Sequence, residues 1–366
     1  MVAEKKKEKE RLFHLVKRTD IEPWKKWLVR VIAILGALLI AGLVSAILTD
    51  FGQFGSFYKY LFTGAFGSPW KIQVLFQNWA ILMCISLAVT PAFKMRFWNI
   101  GAEGQTLISS LAAVTVIMYL GGKVPDAVLI LLMFAASLVA GGVWGAIPAI
   151  FKAQWGTNET LFTLMMNYVA THLVLFSVNA WATDGSATLG ILEYGSFDGI
   201  FGAGYVQNIV FVTILTVIMF IYLKFAKHGY ELEVVGESQN TAKYIGINVK
   251  KVIIRTMIFS GVICGFAGFL LVGGSPTPTV NGDLVGGRGF TAILVSWLAQ
   301  FNPILMIVVV LLVVFLERGA AEAANIMRLG TSSAFVNIVV GIFFLLIIAS
   351  EFFVNYRIKF RKKEGK

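Results

Sequence analysis

Apolar residues dominate the chain in long runs, broken by short polar or glycine-rich joints. A helix that crosses about 30 Å of hydrocarbon at about 1.5 Å per residue needs roughly 20 mainly apolar residues. Ten stretches answer to that description, near 29–49, 74–93, 100–119, 127–150, 160–180, 206–225, 252–272, 289–300, 303–318 and 334–354. The eighth is too short to cross alone and reads as a broken or re-entrant helix, a form tolerated only where protein shields its backbone. The stretch 51–73, rich in aromatics such as Phe57, Tyr58, Phe62 and Trp70, reads as a short amphipathic helix in a membrane interface. The pattern predicts an all-α polytopic membrane protein of about ten transmembrane helices. Its transmembrane domain runs over 29–354, between a basic segment 1–28 and a basic tail 355–366.

Composition fixes the solvent. Of 366 residues, 57% are hydrophobic and 14% charged, and the mean hydropathy is +0.78. Soluble domains carry about 25% charged residues, so lipid is the consistent surroundings. The formal charge of +11 raises the question of nucleic acid, and the placement of the charges answers it. Lys5, Lys6, Lys7, Lys9 and Arg11 lie at one end, and Arg357, Lys359, Arg361, Lys362 and Lys363 at the other, each run flanking an apolar helix. Basic clusters there read as anchors to anionic lipid, with no nucleic-acid partner.

The same residues orient the chain. With both termini cytoplasmic, only Lys59, Lys71, Lys123, Arg288, Arg318 and Arg328 of the 31 Lys and Arg fall outside, as the positive-inside rule requires. The acidic, glycine-rich segment 181–205, with Asp184, Glu193 and Asp198, is then extracellular, and the charged loop 226–251 cytoplasmic. The first ~27 residues lack the short apolar core and small-residue cleavage site of a signal peptide, so the first helix reads as a retained span.

Several chemistries are excluded. Cys84 and Cys264 sit in apolar stretches and support neither a disulfide framework nor a metal site. His14, His172 and His228 are scattered, and no Gly-rich G-x-x-x-x-G-K-[ST] loop occurs. The chain is read as no enzyme, with no cofactor of its own.

Three polar stretches carry information. Asn99-Ile100-Gly101-Ala102-Glu103-Gly104-Gln105 sets amides and a carboxylate at the mouth of an apolar helix. Asn99 can serve as N-cap, Glu103 can complement the dipole and the glycines permit close helix contact. Alternatively Asn99, Glu103 and Gln105 line a translocation path, since polar groups in membrane helices face interiors or cavities. In Gly156-Thr157-Asn158-Glu159-Thr160, Thr157 or Asn158 caps the next helix. Asn167, about two turns further on, needs a partner, so it joins the pathway candidates or makes an inter-helix contact. In the cytoplasmic loop, Ser238 or Asn240 caps a short helix over about 240–245, which Gly246 ends as a C′ residue. Such a rigid helix is a lever for another protein to push.

With these stretches in order, the sequence over about 70–350 resembles the permeases of nucleoside and simple-sugar ABC importers, within the branched-chain amino acid/ribose-type superfamily. It is most similar to the longer nucleoside-type permease. The resemblance implies a vitamin B12 importer-like (type II) bundle in the bacterial cell membrane. It also implies a second related permease or a second copy, a substrate-binding lipoprotein, and an ABC ATPase with two fused nucleotide-binding halves that binds ATP and Mg²⁺. On that pattern 236–247 is the coupling helix, with Gly236, Glu237, Ser238, Asn240, Ala242, Tyr244 and Gly246 at the ATPase. The family's N-P-x-A-A appears here as Ser238-Gln239-Asn240-Thr241-Ala242, without the Pro and the first Ala. The expected cargo is nucleosides, with ribose or another simple sugar as the alternative. An ion-coupled secondary transporter is disfavoured, because few acids lie inside the spans.

Overall fold

The computed structural model describes residues 13–18, 22–49, 54–182, 188–190, 192–197, 205–274, 280–329 and 331–360. Most of both terminal basic runs, together with Asp184 and Asp198, lie outside the described residues. The protein is an all-α polytopic membrane protein, with nine described helices long and apolar enough to cross a bilayer and one shorter apolar helix. In chain order the helices are α1 (Pro23–Leu48), α2 (Phe54–Phe66), α3 (Pro69–Lys94), α4 (Ala102–Leu120), α5 (Asp126–Trp155), α6 (Glu159–Trp181), α7 (Tyr205–Phe225), α8 (Lys227–Glu237), α9 (Gln239–Tyr244), α10 (Val249–Gly273), α11 (Arg288–Leu298), α12 (Pro303–Met327) and α13 (Ser332–Asn355). Two short strands, β1 (Phe13–Lys17) and β2 (Tyr356–Phe360), flank them.

The expected stretches all appear as helices, within a few residues at most boundaries; α12 runs nine residues beyond its expected end. The short eighth stretch is α11, 11 residues long, and the aromatic 51–73 stretch contains α2. Two differences stand out. The charged 226–251 segment is largely helical, because α8 buries Leu232 and Val235 on one face while Glu233 and Glu237 stay exposed. The terminal segments also pair as strands. β1 runs antiparallel to β2, with Phe13 opposite Phe360 and Lys17 opposite Tyr356.

The chain divides into two compact units, Met1–Gly64 with Leu316–Lys366, and Ala65–Phe315. In the first, α1 packs on α13, and Arg30 reaches Glu351 at 2.6 Å. Phe57 meets Phe335 edge to face at 6.1 Å, and the Tyr58 hydroxyl donates to the Leu38 carbonyl at 3.2 Å.

In the second unit, α3 and α10 are buried along most of their length, while α5 and α6 expose large apolar side chains such as Leu131, Val139 and Phe176. That distribution suits a lipid solvent, in which outward apolar groups carry no penalty. Small residues join α5 to α10. A Cβ on Gly141 would land on the Gly261 carbonyl oxygen, and one on Gly265 would meet the Ser137 carbonyl oxygen at 2.5 Å. Ser137, Gly141 and Gly145 recur every four residues, the small-residue spacing that lets membrane helices approach backbone to backbone.

Candidate functional site

Two helix N-termini are buried in the second unit, and each is capped by a side chain from another helix. α4 opens on Gly101, which has no side chain to accept the first-turn amides. The sequence expects Asn99 to cap α4; it does not. Asn99 lies two residues before Gly101, so its Oδ1 reaches only the Gly101 amide at 3.0 Å, while its Nδ2 donates to Ser260 Oγ at 3.5 Å. Asn167 of α6 takes over the cap. Its Oδ1 accepts from the Gly104 amide at 2.9 Å, and its Nδ2 donates to the Ile100 carbonyl at 3.0 Å. Thr163, one turn earlier, accepts the Ile100 amide at 3.2 Å. Asn167 is eight residues into α6, so α4 begins about 12 Å inside the start of that helix.

Glu103 performs the corresponding service for α11. One carboxylate oxygen accepts the Gly287 amide at 2.9 Å, and the other accepts the Gly289 amide at 2.7 Å. Gly286 and Gly287 both hold left-handed φ, +65° and +75°, which turns the chain sharply into α11 and suits residues without a Cβ. A carboxylate at a helix N-terminus is favoured both by the orphan amides and by the helix dipole. Arg288 continues the network to Asn78 Oδ1 at 2.6 Å.

Glu103 and Asn167 line a cavity of about 600 Å³, together with Tyr168, Thr171, Asn281, Asp283 and Phe290. Asn99 and Gln105 are buried beside it and are not among its lining residues. Gln105 Nε2 lies 3.5 Å from Asn99 Oδ1, and its Oε1 is buried without a partner among the described residues. The four pathway candidates therefore divide into two that face the cavity and two that pack behind it. Tyr168, Asn281, Asp283 and Phe290 were not singled out from the sequence. Only the turn-forming run Asn281-Gly282-Asp283 carried a local signal for them.

The expected lever, the short helix over about 240–245, is α9, and it follows directly on α8. α8 is fixed at its base by His228. The Thr256 hydroxyl donates to the Val252 carbonyl at 2.6 Å, so His228 Nε2 is the donor in the 3.2 Å contact to Thr256 Oγ1. Nδ1 is then left to accept from the Tyr222 hydroxyl at 2.5 Å. Burial of this neutral ring, and secondarily nearby Arg255, lower the His228 pKa to about 4, against a smaller opposing effect of Glu231. Further along, Gly236 lies on the Lys94 carbonyl, where any Cβ would collide, and Glu233 pairs with Lys94 at 3.5 Å.

Ser238 caps α9, accepting the Thr241 amide at 3.2 Å. Gly246, φ +87°, closes it: its amide donates to the Lys243 carbonyl at 3.1 Å, and the Ile247 amide to the Ala242 carbonyl at 2.9 Å. That is the Schellman arrangement expected of a C′ glycine. Ala242 is buried, whereas Tyr244 is 92% exposed and Ile245 55%. Asn240 is exposed, and Glu237 borders a second cavity of about 360 Å³ with Arg96, Trp98 and Trp297.

Among known proteins, residues 72–348 match the family described as the branched-chain amino acid transport system permease component. The guanosine ABC transporter permease protein NupP of Bacillus subtilis is 30% identical over 346 residues, covering 92% of this chain and 97% of that protein. The glucose ABC transporter permease protein TsgB13 of Haloferax volcanii is 27% identical, covering 93% and 92%. The nucleoside ABC transporter permease protein NupB of Lactococcus lactis is 27% identical, covering 82% and 85%.

Proposed function

Because the chain belongs to the permease-component family of branched-chain amino acid transport systems, and is an importer permease of the nucleoside and sugar type, we propose that it forms the translocation pathway for nucleosides in an ATP-driven importer of a bacterial cytoplasmic membrane. The observation that carries the choice of nucleoside is the end-to-end similarity to the guanosine permease.

In this reading the chain performs no covalent chemistry. A substrate-loaded lipoprotein docks on the outer face. A separate ATPase with two fused nucleotide-binding halves, holding ATP and Mg²⁺, closes on the inner face. A second related permease, or a second copy, completes the pathway. The α8–α9 pair is the coupling element: Tyr244 and Ile245 present apolar surface where water is the alternative, and the Schellman turn at Gly246 keeps α9 stiff under load. Glu103 and Asn167 face the pathway while holding the starts of α11 and α4 in place.

The paired strands support an even number of crossings, since β1 and β2 lie on one side of the bilayer when they pair. The nine long described helices then leave one crossing to α11 with residues 280–287 before it. Backbone of that kind is tolerated at membrane depth where it lines a cavity.

Uptake of radiolabelled nucleosides in cells with and without this subunit tests the proposal. Loss of nucleoside uptake with ribose uptake intact is the expected result, and equal nucleoside uptake in the deletion strain would reject it.

A further inference from the structure

In the cavity beside Glu103, most polar groups are already engaged. Both Glu103 oxygens hold α11, and both Asn167 amide atoms hold α4. The Thr171 hydroxyl donates to the Asn167 carbonyl at 3.1 Å. Asp283 differs. Its backbone amide donates to Asn281 Oδ1 at 3.0 Å, closing a tight turn, but its carboxylate has no hydrogen-bond or ion-pair partner among the described residues. The same turn leaves the Asn281 Nδ2 amide without a partner among them. The Tyr168 and Phe290 rings, 58% and 43% exposed, line the same space and stack on no other aromatic ring among the described residues.

One cavity thus gathers an unengaged carboxylate, an unengaged amide donor and two unengaged aromatic faces. Its volume, about 600 Å³, falls within the roughly 300–1,000 Å³ range of small-molecule sites. Resting on the reading of the chain as a nucleoside permease, we infer that this cavity is a nucleoside-selecting waypoint, in which Asp283 takes the ribose hydroxyls and the Tyr168 and Phe290 rings take the base. A vicinal diol supplies two O–H donors to the two oxygens of a carboxylate, a charge-assisted pair stronger than neutral hydrogen bonds. A flat heteroaromatic base gains from offset or edge contact with phenyl and phenol rings. The Asn281 amide faces a ring nitrogen or carbonyl acceptor. A simple sugar would use the carboxylate and leave both rings without a flat partner, so the aromatic faces favour the nucleoside.

Asp283 then separates ribonucleosides from 2′-deoxyribonucleosides, because the latter lack the 2′-hydroxyl and bring a single ring hydroxyl in place of the vicinal pair. The test uses the assembled transporter in cells and compares uptake efficiency for adenosine and 2′-deoxyadenosine in wild type, Asp283→Ala and Asp283→Asn. The binding lipoprotein is the same in all strains, so its own preference cancels between them. The wild type should favour adenosine, and Asp283→Ala should reduce that ratio about tenfold, the size of one hydrogen bond to a charged acceptor. Asp283→Asn should reduce it less.

A ratio unchanged in both variants, with wild-type nucleoside uptake intact, overturns the assignment and leaves the function standing. Wild-type cells that import neither nucleoside through this transporter overturn both. Failure of both variants to accumulate in the membrane also counts against the assignment, because it would give the carboxylate a structural task that the structure does not contain.

Discussion

The buried cap cluster around α4 and α11 and the projecting α8–α9 pair invert one another. In the cluster, polar side chains lie where apolar ones are expected, and the two capping residues find backbone partners: Asn167 at Gly104 and Ile100, Glu103 at Gly287 and Gly289. In the pair, apolar side chains lie where polar ones are expected, and nothing among the described residues covers Tyr244 or Ile245. The difference separates architecture from contact. A polar group satisfied inside the protein is holding the fold, whereas an apolar group left uncovered at the tip of a rigid helix awaits another surface.

The contrast breaks most easily at Glu103. Glu103→Ala should strand the Gly287 and Gly289 amides and remove the charge that complements the α11 dipole, costing about 2–5 kcal/mol. A markedly lower thermal midpoint in detergent is expected, and an unchanged midpoint would show that α11 does not depend on this cap. Tyr244→Ser probes the opposite case. Removing so exposed a ring should leave stability within about 0.5 kcal/mol, while transport per ATP hydrolysed by the assembled complex falls severalfold. Equal coupling in the variant would remove Tyr244 from the contact.

The smallest expected effect lies at the base of the pair. The His228 pKa, about 4 in the folded protein, is below the ~6.5 of an unfolded chain. Between those values the unfolded state holds a proton that the folded state does not, so stability is full above about pH 6.5 and falls as pH drops toward 4. Partial exposure of the ring keeps the loss small. His228→Gln should flatten the dependence of thermal midpoint on pH between 7 and 5; identical slopes in wild type and variant would rule out this histidine as its source.

The spans were legible because a 20-residue apolar run in lipid has few options other than helix. The α9 caps were legible for a different reason: Ser238 and Gly246 act on amides and carbonyls three to five residues away, inside any reading window. The caps of α4 and α11 were not. Asn167 serves an amide 63 residues earlier, and Glu103 serves amides 184 and 186 residues later. Asn99, next to the helix start, was the natural local choice, and only the tertiary path of 97–101 removes it. α8 resembles a solvated loop in the sequence because its charges mask the burial of Leu232 and Val235. The cavity's aromatic faces, Tyr168 and Phe290, could not be told from lipid-facing rings without coordinates.

The α5–α10 seam has a mechanical consequence. Gly141, Gly261 and Gly265 let two backbones touch, so the joint is keyed: sliding either helix by one residue would drive a side chain into a carbonyl. Such a joint transmits force without absorbing it. A push delivered to the foot of α10 would be carried along that seam, whereas the half-helix α11 meets α4 through the Glu103 carboxylate and the close approach of Gly289 to the Glu103 backbone.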